Sequence, residues 1–232
     1  MGSLERARFV RAKQGGARRR TDDLTGKRER TRRRILGATF KLIGHERGLN
    51  TRIEEICALA EASRGTFYNY FSSTDELYEA LALDLSHDFN TALIKTLESI
   101  ESCAMRANAA IQHYLRRARR DSAWGWAMAH LSAMGPFFGA ESYEACYVTI
   151  EQGIKEGEFD VPHPQYGRDL LMGAVLAAMV TTLREGGAKT QPRVIAHHVL
   201  RALGVAERRA REIAESPLPE INLSSGASPP VT

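Results

Sequence analysis

Thr51-Arg52-Ile53-Glu54-Glu55-Ile56-Cys57, followed after Ala58-Leu59-Ala60-Glu61-Ala62 by Ser63-Arg64-Gly65-Thr66-Phe67-Tyr68-Asn69-Tyr70-Phe71, is the stretch on which the fold turns. Thr51 and Glu54 stand at the S/T-x-x-E spacing of a capping box, in which the hydroxyl accepts a helix-start N–H and the carboxylate returns to the cap. The spacing predicts a short helix from about Arg52 to Leu59, with Ile53, Ile56 and Ala60 turned inward. Ser63 is a good N-cap for a second short helix running from Arg64 to Tyr70. Ser73-Thr74-Asp75-Glu76 repeats the box and opens a long helix toward Glu98. Upstream, Ile35, Leu36, Thr39, Phe40, Leu42 and Ile43 fall on one face of a helix that starts near Lys27 and is expected to end at Gly48. A packing helix and two short helices joined by a tight turn describe a helix-turn-helix, whose second short helix lies in the DNA major groove.

The composition of that second helix argues for DNA over a plain helical bundle. Phe67 and Phe71, four apart, share a buried face and leave Arg64, Thr66, Tyr68, Asn69 and Tyr70 for the others. A purely structural helix seldom places so many polar aromatics at its surface. Tyrosine brings an apolar body and a hydroxyl, which suit a sugar-phosphate edge or a thymine methyl. Gly65 costs about 1 kcal/mol in a helix relative to alanine, and the missing side chain lets a phosphate approach the backbone N–H groups. The candidate DNA contacts are Arg52, Ser63, Arg64, Gly65, Thr66, Tyr68, Asn69 and Tyr70. An ordinary surface helix with a loosely capped start shares the same periodicity.

These two segments, with Glu76-Leu77 after them and Ile35 to Ile43 before, resemble the signature of the tetracycline-repressor (TetR) family over about Arg30 to Leu83. The resemblance implies a homodimeric transcriptional regulator, usually a repressor, that binds a palindromic operator and leaves it when a small organic effector enters a carboxy-terminal helical domain. It implies that Arg64 and Gly65 lie at base edges, that Thr66, Tyr68 and Tyr70 hold phosphates or reach bases, and that Arg52 is placed for either. Three departures stand out: Glu61 occupies the turn position usually held by Gly, Thr74 replaces a Lys that opens the fourth helix, and the interval from Gly48 to Ile53 is a residue shorter.

Charge is divided unevenly. Met1 to Arg47 carries fifteen Lys or Arg against five Asp or Glu, a balance of +10, so the rest of the 232-residue chain carries 4 − 10 = −6. A basic end on an acidic body suggests different partners for the two, a polyanion for the first. A solvated tail fits residues 1–26 equally well. Arg18, Arg19, Arg20, Arg28, Arg32 and Arg33 suit a minor groove or the phosphate backbone. The organisation read from the sequence is a basic flexible arm (1–26), a helix-turn-helix domain (27–73), a helical ligand-binding and dimerisation domain (74–215) and a disordered tail (216–232).

The body reads as helices over 104–120, 123–134, 141–156, 165–185, 191–203 and 206–215, broken at Gly135-Pro136, Gly157 to Pro164 and Gly186-Gly187. The fold class is therefore all-α, a three-helix DNA-binding head joined to a larger helical domain. Bulky, adaptable side chains in the body make Trp124, Met128, His130, Met134, Phe137, Tyr147 and Met172 candidates for an effector pocket. Plain core is the other reading of each. Gly173 and Ala177, with Val194, Ile195 and Val199 on the next helix, suit a two-fold four-helix dimer interface or packing within one subunit. Cys57, Cys103 and Cys146, few and far apart, fit a reducing cytoplasm and neither a disulfide framework nor a zinc site. No apolar run reaches the about 18 residues of a membrane span. Catalysis, cofactors and metals are not expected: His197 and His198 face apart, and Gly186-Gly187 lacks the Lys-Ser or Lys-Thr of a phosphate loop. An activator of the same family, or an architectural DNA-binding protein without a small ligand, remains an alternative to a repressor.

Overall fold

The computed structural model describes residues 26–221, and every regular element among them is helical. In chain order these are α1 (26–43), a 3₁₀ turn (Gly48–Asn50), α2 (Ile53–Leu59), α3 (Arg64–Tyr68), α4 (Thr74–Leu97), α5 (Cys103–Arg120), α6 (Ser122–Ser132), α7 (Ala140–Lys155), α8 (Pro164–Glu185), α9 (Gln191–Ala202) and α10 (Glu207–Glu215). No helix among the described residues is long and apolar enough to cross a membrane.

The head closes on Ile35, Leu36 and Ile43 of α1, Ile56 of α2, Phe67 and Phe71 at α3, and Leu77 and Leu81 of α4, all buried. Phe67 and Phe71 share that core with ring centroids 6.0 Å apart, as their spacing predicts. Ser63 and Ser73 cap their helices as expected, accepting from Thr66 N–H at 3.0 Å and Glu76 N–H at 3.1 Å.

Two boundaries differ from the sequence expectation. The first helix stops at residue 43, well before Gly48, because His130 Nδ1 reaches the Ile43 carbonyl at 3.0 Å and satisfies a terminal acceptor there. Gly48 opens the 3₁₀ turn instead, where an added Cβ would lie 2.5 Å from the same carbonyl oxygen. The capping box also sits one residue later than read. Thr51 donates its hydroxyl to the Gly48 carbonyl at 2.7 Å and closes the 3₁₀ turn. Arg52 becomes the N-cap of α2, and its backbone N–H donates to the Glu55 carboxylate at 2.8 Å, leaving Glu54 free to face α3.

The turn between α2 and α3 keeps its shape without the usual glycine. Glu61 adopts φ 49°, while Ala62 N–H reaches the Cys57 carbonyl at 2.9 Å and Glu61 N–H the Ala58 carbonyl at 3.3 Å. These paired bonds form a Schellman motif. Glu61 therefore carries the left-handed strain that a glycine would avoid.

In the body, α6, α7, α8, α9 and α10 all pack on α5. One side of α5 clasps the carboxy-terminal segment: Asn108 Nδ2 donates to the Ile213 carbonyl at 2.9 Å and Gln112 Nε2 to that of Ala214 at 3.0 Å. His113 Nε2 then meets the Pro219 carbonyl at 3.1 Å, and Ile221 packs against the core. The expectation of a disordered tail from Ser216 thus gives way to an ordered run as far as Ile221; residues 222–232, like the arm at 1–25, lie outside the described residues.

Candidate nucleic-acid interface and effector cavity

The exposed face of α3 presents Arg64, Gly65, Tyr68 and Asn69, with Thr66 and Tyr70 half-buried beside them. Arg64 Nη1 pairs with Glu54 Oε1 of α2 at 3.0 Å, and both side chains remain more than half exposed. Thr66 and Ser63 hydroxyls share a 2.9 Å bond at the helix start, so Ser63 serves as a cap while remaining exposed. Gly65 leaves that start open: an added Cβ would meet only Ser63 Oγ, at 3.8 Å. Arg52 is exposed at the head of α2.

A groove beside α3 is lined by Lys27, Arg28 and Thr31 of α1 and by Thr66, Asn69 and Tyr70. Arg28 lies over the Tyr70 ring at 5.7 Å and Arg32 over that of Phe71 at 5.8 Å. Lys27 and Thr31 were missed in the sequence reading, yet the helical register that puts Ile35 in the core leaves residues four and eight earlier near α3. This wall is cationic where Thr74, the position of the absent lysine, is neutral.

The body holds a cavity of about 60 Å³ between α4, α5, α7 and α8, with an almost wholly apolar lining. Leu93, Ile94 and Leu97 come from α4, Ala107, Ala110, Ile111 and Tyr114 from α5, and Met172 and Val175 from α8. α7 contributes Ser142, Ala145, Cys146, Thr149 and Ile150, at the spacing of one helix face. Its polar corner is a buried relay. The Tyr114 hydroxyl donates to Asn90 Oδ1 at 2.6 Å and lies 2.5 Å from Ser142 Oγ, while Asn90 Nδ2 donates to the Phe138 carbonyl at 3.0 Å. Phe138 lines the cavity and adopts φ 59°, a left-handed conformation unusual outside glycine.

Burial pushes the Tyr114 hydroxyl and the Cys146 thiol up, the latter to about 12, so both face the cavity uncharged. The formal charge at the lining is that of Arg106. Its Nη2 donates to Gln152 Oε1 at 2.7 Å and contacts Cys103 Sγ at 2.9 Å, but its buried Nε has no partner. An uncompensated buried donor of this kind fits an acceptor supplied from outside.

Among the residues expected to form the pocket, Met172 lines this cavity and the others lie elsewhere. Trp124 is packed beneath it, stacked on Tyr114 with its indole N–H donating to the Leu85 carbonyl at 3.1 Å. Met128 is core, and His130 is occupied with the end of α1. Phe137 is half-buried, Met134 is 47 % exposed on another surface, and Tyr147 lies near the buried Arg168, whose guanidinium stacks on Tyr143 at 3.8 Å. The signal that marks the cavity is a row of small residues, Ala107 and Ala110 opposite Ser142 and Ala145, where space is left unfilled.

Cys103, Glu156 and Glu158 bring potential ligand atoms within 4.8 Å of one another, a grouping across α5 and α7 that spacing along the chain did not reveal. Glu158 caps α5, accepting from Cys103 N–H at 2.7 Å, Ala104 N–H at 3.2 Å and the Ser102 hydroxyl at 2.6 Å. With the Arg106 guanidinium already on the sulfur, these groups serve as a helix-start cap and do not suit a cation.

On α8, Tyr166, Asp169, Leu170 and Ala177 are exposed along one stripe with Gly173 half-exposed among them. An added Cβ on Gly173 would meet nothing within 4 Å, so the stripe is open to a close neighbour. Val194 of α9 is 47 % exposed, Ile195 is half-buried, and Val199 is buried within the protomer.

A reading helix on a compact head, joined by one long helix to a body that encloses a cavity, defines a ligand-responsive DNA-binding regulator. Comparison with known families agrees: "Bacterial regulatory proteins, tetR family" matches residues 35–81, and "Tetracyclin repressor-like, C-terminal domain" matches 104–216. The chain belongs to the TetR family of transcriptional regulators and not to a family of enzymes. RolR in complex with resorcinol is 30% identical, with a TM-score of 0.67, covering 85% of this chain and 100% of its own. RolR without ligand is 28% identical, with a TM-score of 0.65, over 82% and 99%. FadR from Bacillus subtilis, in complex with stearoyl-CoA, shares the fold at 15% identity, with a TM-score of 0.59, over 75% and 97%. No curated protein matches the chain.

Proposed function

We propose that this regulator is a repressor that binds a palindromic operator as a homodimer and is released by a small monocyclic phenol. The observation that carries the reading is the cavity itself: apolar walls, a Tyr114–Asn90–Ser142 corner at one place and the unpartnered Arg106 Nε at another. An aromatic ring suits the walls, and two hydroxyls on that ring suit the two polar positions. RolR, the solved relative at 30% identity, holds resorcinol, a ligand of this chemistry.

The free cavity, about 60 Å³, is smaller than the about 150 Å³ void that admits benzene in an engineered core. An entering ring must push its walls apart. Leu93, Ile94 and Leu97, at the body end of α4, form one such wall, and α4 begins three residues after Phe71, beside the reading helix. At 24 residues it spans about 36 Å, long enough for displacement at the cavity to alter the pose of the head. Competition by the effector hydroxyl for Tyr114 or Asn90 loosens the hold on Phe138 at the same time. A hundredfold loss of DNA affinity requires about 2.7 kcal/mol of such coupling.

The α8 stripe, with Val194 beside it, supports a two-fold interface that sets two α3 helices about 34–36 Å apart, one DNA turn. Light scattering on the purified protein then gives twice the 25.7 kDa protomer mass, whereas the protomer mass itself contradicts the dimer. The operator is found by incubating the protein with genomic fragments at physiological salt and sequencing what it retains. Enrichment of a few palindromic sites supports the reading; uniform retention that collapses with salt favours an architectural role. Deletion of the gene raises transcription beside those sites for a repressor and lowers it for an activator.

A further inference from the structure

A second, larger pocket lies between the first half of α4 and the α6–α7 connection, with a volume of about 370 Å³. That is within the about 300–1,000 Å³ range of small-molecule sites. It is separate from the phenol cavity: Gly139 and Glu141 face it, while Phe138 and Ser142 face the other. Its floor is apolar, built from Ala82, Leu131, Pro136 and the unusually exposed Leu83 (57 %) and Met134 (47 %).

The polar part of its lining is acidic. Asp75, Glu79 and Glu141 supply three carboxylates, and no Lys or Arg is among the described residues that line it. Glu141 gives one oxygen to His87 Nδ1 at 2.9 Å, and its other oxygen is buried with no hydrogen-bond partner. The half-buried Tyr78 adds an aromatic ring to the same wall. A cation held against an aromatic face and carboxylates, with hydrocarbon laid along Leu83 and Met134, uses the charged, aromatic and apolar parts of this lining together. A bare metal ion would leave the apolar floor unused, and a neutral hydrocarbon would make no use of the carboxylates.

We propose that this pocket is a second ligand site, one that takes a small amphiphilic organic cation such as an aryl-substituted quaternary ammonium. It rests on neither the operator nor the phenol reading, and its test uses no DNA.

The full-length protein is labelled with ¹³C at its methionine methyl groups and titrated with benzyltriethylammonium, with benzyl alcohol as the uncharged comparator. Met134 reports this pocket and Met172 the phenol cavity. The expected result is a saturable shift of the Met134 methyl, with Met172 unmoved and sodium chloride at equal ionic strength without effect. Glu79→Gln with Glu141→Gln weakens binding about tenfold, since carboxylates near a cation act even at the dielectric of water. A ligand-free methyl spectrum of the double variant that keeps the wild-type Met172 position and dispersion shows that it is folded. The proposal is overturned if Met134 does not saturate, if Met172 responds to the cation in its place, if benzyl alcohol moves Met134 equally, or if the folded double variant binds as the wild type does.

Discussion

Arg64 Nη1 of the reading helix lies 3.0 Å from Glu54 Oε1 of the preceding helix, an exposed ion pair in the DNA-free protein. A base or phosphate that takes the guanidinium must displace Glu54, whose charge also repels the DNA backbone. Glu54→Gln is expected to tighten DNA binding by about fivefold, and Arg64→Ala to weaken it by tenfold or more. Neither alters stability by more than about 0.5 kcal/mol, because exposed pairs contribute little to folding. Anisotropy titrations with thermal melts check both; wild-type affinity in Arg64→Ala would remove α3 from the interface.

Gly65 allows function to be separated from folding. Its missing Cβ faces only Ser63 Oγ at 3.8 Å, so the protein alone has room for alanine. Gly65→Ala is expected to stabilise the protein by up to about 1 kcal/mol while weakening DNA binding at least tenfold, because the methyl holds a phosphate away from the helix start. Undiminished DNA affinity in a stabilised variant would mean that the glycine has no part in contact.

Glu61 makes the opposite case. With φ at 49° it holds a conformation that costs an L-residue about 1–2 kcal/mol, and no DNA role is assigned to it. Glu61→Gly should raise the unfolding free energy by about 1 kcal/mol and leave the circular dichroism spectrum unchanged. A loss of stability in urea titration would show that its side chain supplies more than the backbone strain removes.

Two histidines predict an acid-sensitive body. Burial holds both His113 and His130 below the ordinary value of about 6.5, outweighing the carbonyl bonds each makes. The unfolded chain therefore takes up protons first as pH falls through about 6.5, so stability is full above that value and declines below it. His113→Gln, whose amide N–H still suits the Pro219 carbonyl, should reduce that decline. Denaturation midpoints at about pH 7.5 and about pH 5.5 measure it, and equal midpoints for the wild type would refute the assignment.

The head was legible in sequence because local chemistry sets it: Ser63 and Ser73 cap, Phe67 and Phe71 bury, and each does so from its immediate neighbours. The displaced capping box shows where such reading fails, since Thr51 has two uses for one hydroxyl and the short Gly48–Asn50 turn decides between them. Similarly, the end of α1 is set by His130, far away in the chain. The cavity was harder for a related reason. Large side chains such as Trp124 and Met128 attract attention as pocket walls, yet they fill space, whereas Ala107, Ala110 and Ala145 leave it. The relay from Ser142 through Tyr114 and Asn90 to Phe138 joins three helices and a loop, and spacing along any one of them carries no sign of it.

A small phenol in the Tyr114 cavity is expected to lower affinity for a specific DNA site, and titration of the DNA-bound protein measures this directly. A fluorescent operator fragment recovered from the genomic selection is held by the protein while resorcinol, catechol and phenol are added in turn. Saturable release by at least one of them is expected, with Tyr114→Phe binding DNA normally but needing about tenfold more ligand, the cost of one lost hydrogen bond to a buried partner. If none of the three releases the DNA, or if Tyr114→Phe responds like the wild type, the cavity is not the sensor.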